Sequence, residues 1–154
     1  MSNTDILRTT EGDLLPPDYE RNRVFELLIG TYQGRAEVDG FHPGTKEAIE
    51  ICQSESSGSS PKPGQKRKLA SDVLKLILLR DLGYISRGRV FVTSREMYTW
   101  CQQTGSWLNA ARKQYDISVE LRVHDNKKTR KKVRNALAAA RREMQRAEEQ
   151  KRDL

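Results

Sequence analysis

The last quarter of the chain constrains the fold more than any other segment. From Lys127 onward the sequence has neither glycine nor proline, and Ala, Arg, Lys, Glu and Gln dominate. These residues combine high helix propensity with a low tendency to be buried. The sequence therefore predicts a long exposed helix over 126–154, which leaves about 125 residues for a core. That length suits one domain.

The positive charge of the protein is concentrated in this predicted helix. The first 125 residues contain 17 basic and 17 acidic side chains, whereas 126–154 contains 11 basic and 4 acidic ones. The formal net charge of +7 therefore belongs to the C-terminal segment. Such a concentration is typical of a segment that binds a polyanion, either nucleic acid or an anionic membrane.

The remaining chain is predicted to form a small α+β domain over 17–125, with short strands packed on helices. Residues 1–16 are polar and are expected to be a flexible N-terminal arm. The segments 23–29 and 32–38 are predicted to be paired strands. The segment 117–123 alternates apolar and polar residues and is predicted to be a further strand.

The rest of the domain is divided by turn residues and caps. Serine, glycine and proline dominate the start of 54–68, which is therefore predicted to be a flexible linker. Thr45 is suited to cap a short helix over 46–53. An apolar helix is predicted over 71–82, and a β-hairpin is predicted over 84–93.

Catalytic and metal-binding patterns are not evident in the sequence. Cys52, Cys101, His42 and His124 lack the spacing of a zinc site, and no P-loop, nucleophile elbow or HExxH motif occurs. We therefore expect no enzymatic activity, no cofactor and no metal. No apolar run approaches the length of a membrane span. Unpaired cysteines fit a protein of the nucleus and cytoplasm.

The predicted C-terminal helix carries the candidate nucleic-acid contacts. Six cations fall within eight residues, so they cannot share one helical face and must surround the helix. Helices of this kind bind RNA or lie along a phosphate backbone. The proposed phosphate contacts are Lys127, Lys128, Arg130, Lys131, Lys132, Arg134, Arg141, Arg142 and Arg146. The competing interpretation is a solvated helix whose later glutamates offset part of the charge.

An apolar seam runs along the same helix. Val133, Leu137, Ala140, Met144 and Ala147 follow spacings of four and three residues. This seam predicts either docking of the helix onto the domain or a weak homodimer through 133–147.

A second basic cluster lies within the predicted linker. Lys66, Arg67 and Lys68 would be exposed on a flexible segment, as a nuclear import receptor of the importin type requires. The alternative is that these cations only keep the start of an apolar helix soluble.

Two aromatic features have both a structural and a functional interpretation. Trp100 and Trp107 could stack on bases, although their positions on apolar helix faces favour core packing. Pro16, Pro17 and Tyr19 form a PPxY sequence, which resembles the ligand of WW domains. The alternative is that the two prolines only end the preceding segment, before the first strand begins.

The PPxY sequence near the N-terminus of a small basic chain also resembles the small matrix proteins of viruses such as rhabdoviruses. That resemblance implies a matrix or assembly adaptor that recruits WW-domain host proteins. The residues themselves favour a different function, the non-enzymatic binding of RNA or another nucleic acid. Such a protein would be a viral accessory or ribonucleoprotein-associated factor with access to the nucleus.

Overall fold

A computed structural model describes residues 2–54, 60–103 and 105–153. Within those residues, helices and a five-stranded sheet form one α+β domain with a long C-terminal helix, which confirms the predicted class. The elements in chain order are α1 (Asn3–Gly12), β1 (Glu20–Ile29), β2 (Tyr32–Phe41), β3 (Glu47–Cys52), α2 (Pro63–Asp81), β4 (Arg87–Val92), α3 (Arg95–Gln102), α4 (Trp107–Gln114), β5 (Ser118–Leu121) and α5 (Lys127–Arg152).

The strands follow one another across the sheet in the order β1-β2-β3-β4-β5. β1, β2 and β3 form an antiparallel meander, and β4 and β5 then run parallel to β3. A parallel pair needs a crossover connection. Here α2 connects β3 to β4, and α3 with α4 connects β4 to β5. As a result, the carboxyl ends of three strands meet at one edge of the sheet.

The main core lies between α2 and the sheet. Leu69, Val73, Leu76 and Leu79 recur every three or four residues along α2 and are at most 1% exposed. This spacing puts them on one helical face, which packs against the strands. A smaller cluster on other sheet residues contains Ile49, Ile51 and Phe91, with Tyr19 packed against it.

The helix predicted over 46–53 is wrong, because this segment is the strand β3. Residues 48–52 are all buried, since β3 is a central strand between β2 and β4. A strand that is covered on both faces loses the alternation of apolar and polar residues that identifies a strand at the surface. The apolar positions of β3 therefore matched a helical period by chance.

The flexible N-terminal arm is also wrong, because residues 3–12 form α1. The Ser2 side chain accepts from the backbone N–H of Asp5, and the Asp5 carboxylate accepts from the Ser2 backbone in return. This reciprocal capping box stabilises the first turn.

The flexible linker predicted over 54–68 is wrong from Pro63 onward, where α2 begins. Proline is well suited to the first turn of a helix. Residues 55–59 lie outside the described residues.

The hairpin predicted over 84–93 is replaced by β4, which pairs in parallel with β3 and β5. Gly88 suggested a turn, yet it lies within the strand. A Cβ atom at Gly88 would lie 3.0 Å from the Cβ of Leu76, so the missing side chain lets α2 approach the sheet closely. The predicted strands over 23–29, 32–38 and 117–123 are confirmed, although β5 is shorter than predicted.

The first half of α5 packs on the domain. The Asn126 side chain caps the helix by accepting from the N–H of Lys128, and Val133 and Ala136 are buried in a region where α5 contacts α1. Met144 is 68% exposed. Docking of the helix is therefore confirmed for the first half of the seam, and the homodimer through 133–147 stays a prediction. No helix among the described residues is long and apolar enough to cross a bilayer.

Candidate active-site cavity and nucleic-acid interface

A cavity of about 350 Å³ opens between α1, α2 and the antiparallel strands. Its lining combines four carboxylates with two lysines and one arginine. The carboxylates are those of Glu11 on α1, Glu37 and Asp39 on β2 and Glu50 on β3; the lysines are Lys68 and Lys75 on α2, and the arginine is Arg8 on α1, which pairs with Glu37 at 2.8 Å. Four elements distant in sequence thus bring ionisable side chains to one place.

Asp39 and Glu50 are neighbours across the β2–β3 pair. Gly40 lies opposite Ile49, so the next position along the ladder places Asp39 beside Glu50. The Asp39 carboxylate also accepts from the backbone N–H of Ile51 at 2.7 Å. Like charges on opposing residues destabilise a sheet. Simultaneous ionisation of Asp39 and Glu50 is therefore unfavourable unless a cation lies beside them.

The two lysines come from one face of α2, seven residues apart. The Lys75 ammonium donates to Glu50 Oε1 at 3.1 Å and to the backbone oxygen of Glu37 at 2.9 Å. The Lys68 ammonium donates to the buried carboxylate of Asp72 at 2.6 Å. Lys75 thus offsets part of the charge of Glu50, while Lys68 is half exposed beside the cavity.

The surroundings of the cavity oppose ionisation of its acids. Burial raises the pKa of Glu50 to about 9, and repulsion from Asp39 and Asp72 adds to this effect, while Lys75 opposes it. Burial, with repulsion from Asp39, raises the pKa of Glu11 to about 7. Burial also raises the pKa of Asp39. An added cation would reverse this preference, because it favours the ionised carboxylates.

The donor set fits a hard divalent cation. Mg²⁺ is commonly held by one or two carboxylates and completes its octahedron with water and substrate phosphate oxygens. Asp39 and Glu50 would supply the two carboxylates. In the part of the chain that the structure describes, no three His, Cys, Asp or Glu side chains form a complete metal site. Such a cation would accordingly depend on water or substrate for its other ligands.

Sequence reasoning missed this cavity because it assigned Glu50 to a helix. With 39–41 and 47–52 as neighbouring strands joined by a short turn, Asp39 and Glu50 would have been expected to face one another. Lys68 and Lys75, two helical turns apart, would have added the lysines to this predicted cluster of ionisable residues.

The cations predicted to contact nucleic acid lie around α5. Eight of the nine are exposed, and Arg141 is half-buried. Arg130 donates from Nη1 to the backbone oxygen of His124 at 3.0 Å. The first turn of α5 has no acidic residue, so Lys127 and Lys128 lie at the positive end of the helix dipole. This arrangement adds positive potential at the N-terminus of α5, where a phosphate group is stabilised.

The cluster at Lys66, Arg67 and Lys68 does not lie on a flexible linker, because it forms part of α2. The Lys66 ammonium lies 5.1 Å from the centre of the Trp100 ring, and Lys68 pairs with Asp72. In this helix two of the three cations already contact other side chains, whereas an import signal is expected to be an extended, accessible peptide. The exposed basic residues of Lys127–Lys132 remain a candidate import signal.

The PPxY sequence is likewise built into the fold. Asp18 has φ +70°, which departs from the polyproline conformation that WW domains bind. The Tyr19 hydroxyl donates to Glu47 at 2.6 Å, and its ring packs against the cluster of Ile49, Ile51 and Phe91. The structure therefore corrects the expectation of a free arm carrying Pro16, Pro17 and Tyr19.

Trp107 departs from the predicted core packing, since it is 80% exposed at the start of α4. Trp100 is half-buried and packs against the core, as predicted.

Comparison of the chain with models of protein families, with curated proteins and with solved structures finds no match.

Proposed function

We propose that the protein is a metal-dependent nuclease that holds nucleic acid through α5 and cleaves a phosphodiester bond at the cavity. The observation that carries the proposal is the pair of adjacent carboxylates of the half-buried Asp39 and the buried Glu50, with the Lys75 ammonium 3.1 Å from Glu50. This proposal differs from the sequence-based expectation of a non-enzymatic protein, which stays a prediction.

Each group in the cavity has a role in this chemistry. A divalent cation, when bound, supplies Lewis-acid stabilisation of phosphate charge and lowers the pKa of attacking water. Asp39 and Glu50 would hold that cation. The Lys75 ammonium is placed to stabilise negative charge beside Glu50, and the half-exposed Lys68 is placed to attract a phosphate oxygen. Glu11, whose pKa is raised to about 7, is suited to accept or donate a proton at neutral pH.

The basic helix α5 supports the part of the proposal that concerns nucleic-acid binding. Between Asn126 and Glu143 no acidic residue offsets the cations of α5. Neutralisation of several phosphates releases counterions, so nucleic-acid affinity should fall steeply as salt rises.

The cleavage test uses labelled single-stranded and double-stranded DNA and RNA with Mg²⁺ or Mn²⁺. We expect Asp39→Asn and Glu50→Gln to lower cleavage at least about 100-fold, as loss of electrostatic stabilisation at a reacting centre does. Glu26→Gln is the matched control, because Glu26 is also a strand carboxylate but is exposed and pairs with Arg35 on the surface. Absence of cation-dependent cleavage by the wild-type protein on all four substrates would refute the enzymatic proposal.

The exposed, acid-free first half of α5 also supports a second candidate, which is nucleic-acid binding without catalysis. Combined replacement of Lys127, Lys128, Lys131 and Lys132 by alanine should then weaken binding and reduce the salt slope. These side chains are exposed, so the variant keeps the buried contacts of Val133 and Ala136. Removal of the whole helix would be less informative because it would expose those contacts. Unchanged affinity and salt slope would exclude α5 as the interface.

A further inference from the structure

A second, separate pocket lies where three parallel strands end. It has a volume of about 230 Å³. Residues that follow β3, β4 and β5 form one side, and α5 forms the other. The crevice at the carboxyl ends of parallel strands is the usual ligand position in open α/β sheets.

The donors of this pocket suit an anion. Arg130 and Arg134 line it from α5 and are one helical turn apart, so their side chains emerge on the same side. Arg130 is held by its bond to the backbone oxygen of His124, and Arg134 makes no ion pair within the described ranges. Ser54 and Thr93 lie opposite the helix, where the Ser54 hydroxyl is bonded to the Ser94 hydroxyl at 2.7 Å and the Thr93 hydroxyl donates to the backbone oxygen of Ser54 at 3.4 Å. The two guanidinium groups are therefore the phosphate ligands of this pocket, a role for which arginine is well suited.

Among the described residues, the carboxylates of Asp13 and Asp125 act on His124, which lines this pocket. Asp13 is itself paired with Arg21 at 3.5 Å. The lining residues that the structure describes carry two arginines and no carboxylate, so this part of the lining is cationic.

The size of the pocket limits its ligand. Its volume is below the 300–1,000 Å³ that is usual for drug-sized ligands. Val133 and His124, which line it, are 5% and 7% exposed and therefore close its inner side. A single phosphate group with part of its sugar fits such a space better than a complete nucleotide. A closed inner side accepts the end of a strand rather than its middle.

Gln53 joins this pocket to the cavity. Its Nε2 donates to the backbone oxygen of Leu7 at 2.9 Å, and Leu7 lines the cavity. Its Oε1 lies 3.0 Å from Nε2 of His124, which lines the pocket. The Gln53 side chain thus bonds to one lining residue of each space.

From this arrangement we propose that the pocket binds the terminal phosphate of a nucleic-acid strand and so anchors the strand end beside the cavity. The inference rests on the proposed function, because it takes nucleic acid as the ligand. A terminal phosphate monoester carries −1.5 to −2 charges at pH 7, as phosphorylated side chains do, whereas an internal diester carries one. Two guanidinium groups beside one phosphate group favour the monoester accordingly.

The test compares three oligonucleotides of one sequence, with a 5′-phosphate, with a 3′-phosphate or with neither. Their affinities are measured by fluorescence anisotropy in EDTA, where a cation-dependent nuclease does not cleave. The wild-type protein should bind one phosphorylated strand about ten-fold more tightly than the unphosphorylated strand, as a charge-assisted contact implies. Arg134→Ala should bring that ratio close to one. Arg142→Ala, on the same helix but outside the pocket, should weaken all three affinities alike and keep the ratio.

Two results would overturn the inference. One is equal wild-type affinity for the three oligonucleotides, and the other is an undiminished ratio in the Arg134→Ala variant. Cleavage is measured separately with Mg²⁺ and Asp39→Asn. Loss of the phosphate preference with intact cleavage would therefore reject this pocket alone, whereas a preserved preference without cleavage would reject only the nuclease proposal.

Discussion

Replacement of Glu50 by glutamine should change how the stability of the protein depends on pH. Glu50 is 1% exposed, and burial raises its pKa from 4.5 to about 9. The folded state therefore holds this proton more tightly than the unfolded state does. Its contribution to stability is complete below pH 4.5 and is lost as pH rises toward 9.

The expected magnitude follows from the linkage relation. One group that is protonated only in the folded state lowers the free energy of unfolding by about 1.4 kcal/mol per pH unit. From pH 6 to pH 8 this amounts to about 2.7 kcal/mol. The pKa of about 9 already includes the opposing effect of the Lys75 ammonium, so we expect this full loss. Glutamine has the same shape and does not titrate, so Glu50→Gln should remove this loss.

Urea denaturation of both proteins at pH 6, 7 and 8 measures the effect. The stability difference between Glu50→Gln and the wild type should grow by about 2.7 kcal/mol across the range, in favour of the variant. Other titrating groups are common to both proteins and largely cancel. Parallel stability curves would refute the reasoning, because they would mean that Glu50 stays ionised with Lys75 throughout.

Addition of Mg²⁺ extends this test to the proposed cation. A cation that binds the ionised carboxylates competes with protons, so it should stabilise the wild-type protein more at pH 8 than at pH 6. Glu50→Gln should respond weakly at both values. Equal stabilisation of the two proteins would place Mg²⁺ binding elsewhere.

Three further predictions concern the fold. Val133→Ala should lower the free energy of unfolding by about 1–2 kcal/mol, because it loosens α5 from the domain. Met144→Ala, at an exposed position of the same seam, should change it by no more than about 0.5 kcal/mol. Equal losses in thermal unfolding would contradict the docking. Gly88→Ala should cost about 1–3 kcal/mol, because its Cβ would press on Leu76. Gly64→Ala, which meets open space, is the control, and an equal cost there would reject the close packing. Tyr19→Phe should cost about 1 kcal/mol by urea denaturation through loss of the bond to Glu47; no loss would mean that the hydroxyl is as well satisfied by water.

Local sequence patterns sufficed for the elements that have one exposed face. The strand at Ser118–Leu121 and the helix from Lys127 were predictable, because solvent on one side produces a periodic pattern. The strand at Glu47–Cys52 was not predictable in this way, since burial on both faces removes the period. Because Glu47–Cys52 was assigned to a helix, the candidate cavity was not predicted either, since Asp39 and Glu50 become neighbours only when both lie on strands.

The N-terminal segment and the exposed tryptophan show a second limit. Residues 3–12 have a capping box but little apolar content, and their helix is stabilised by contacts with α5 at the other end of the chain. Trp107 was predicted to pack in the core because it lies with Leu108 on an apolar helix face, yet Leu108 is 7% exposed and Trp107 is 80% exposed. Long-range packing decided both outcomes, and a local pattern does not contain that information.

The bond from the Ile51 amide to the Asp39 carboxylate gives the protein an internal probe. A backbone proton that is shared with a side-chain acceptor senses the charge on that acceptor, so the ¹⁵N and ¹H shifts of Ile51 should follow the ionisation of Asp39. The same resonance should move when a cation draws charge from the carboxylate. One amide in the central strand thus makes the occupancy of the cavity observable without any substrate.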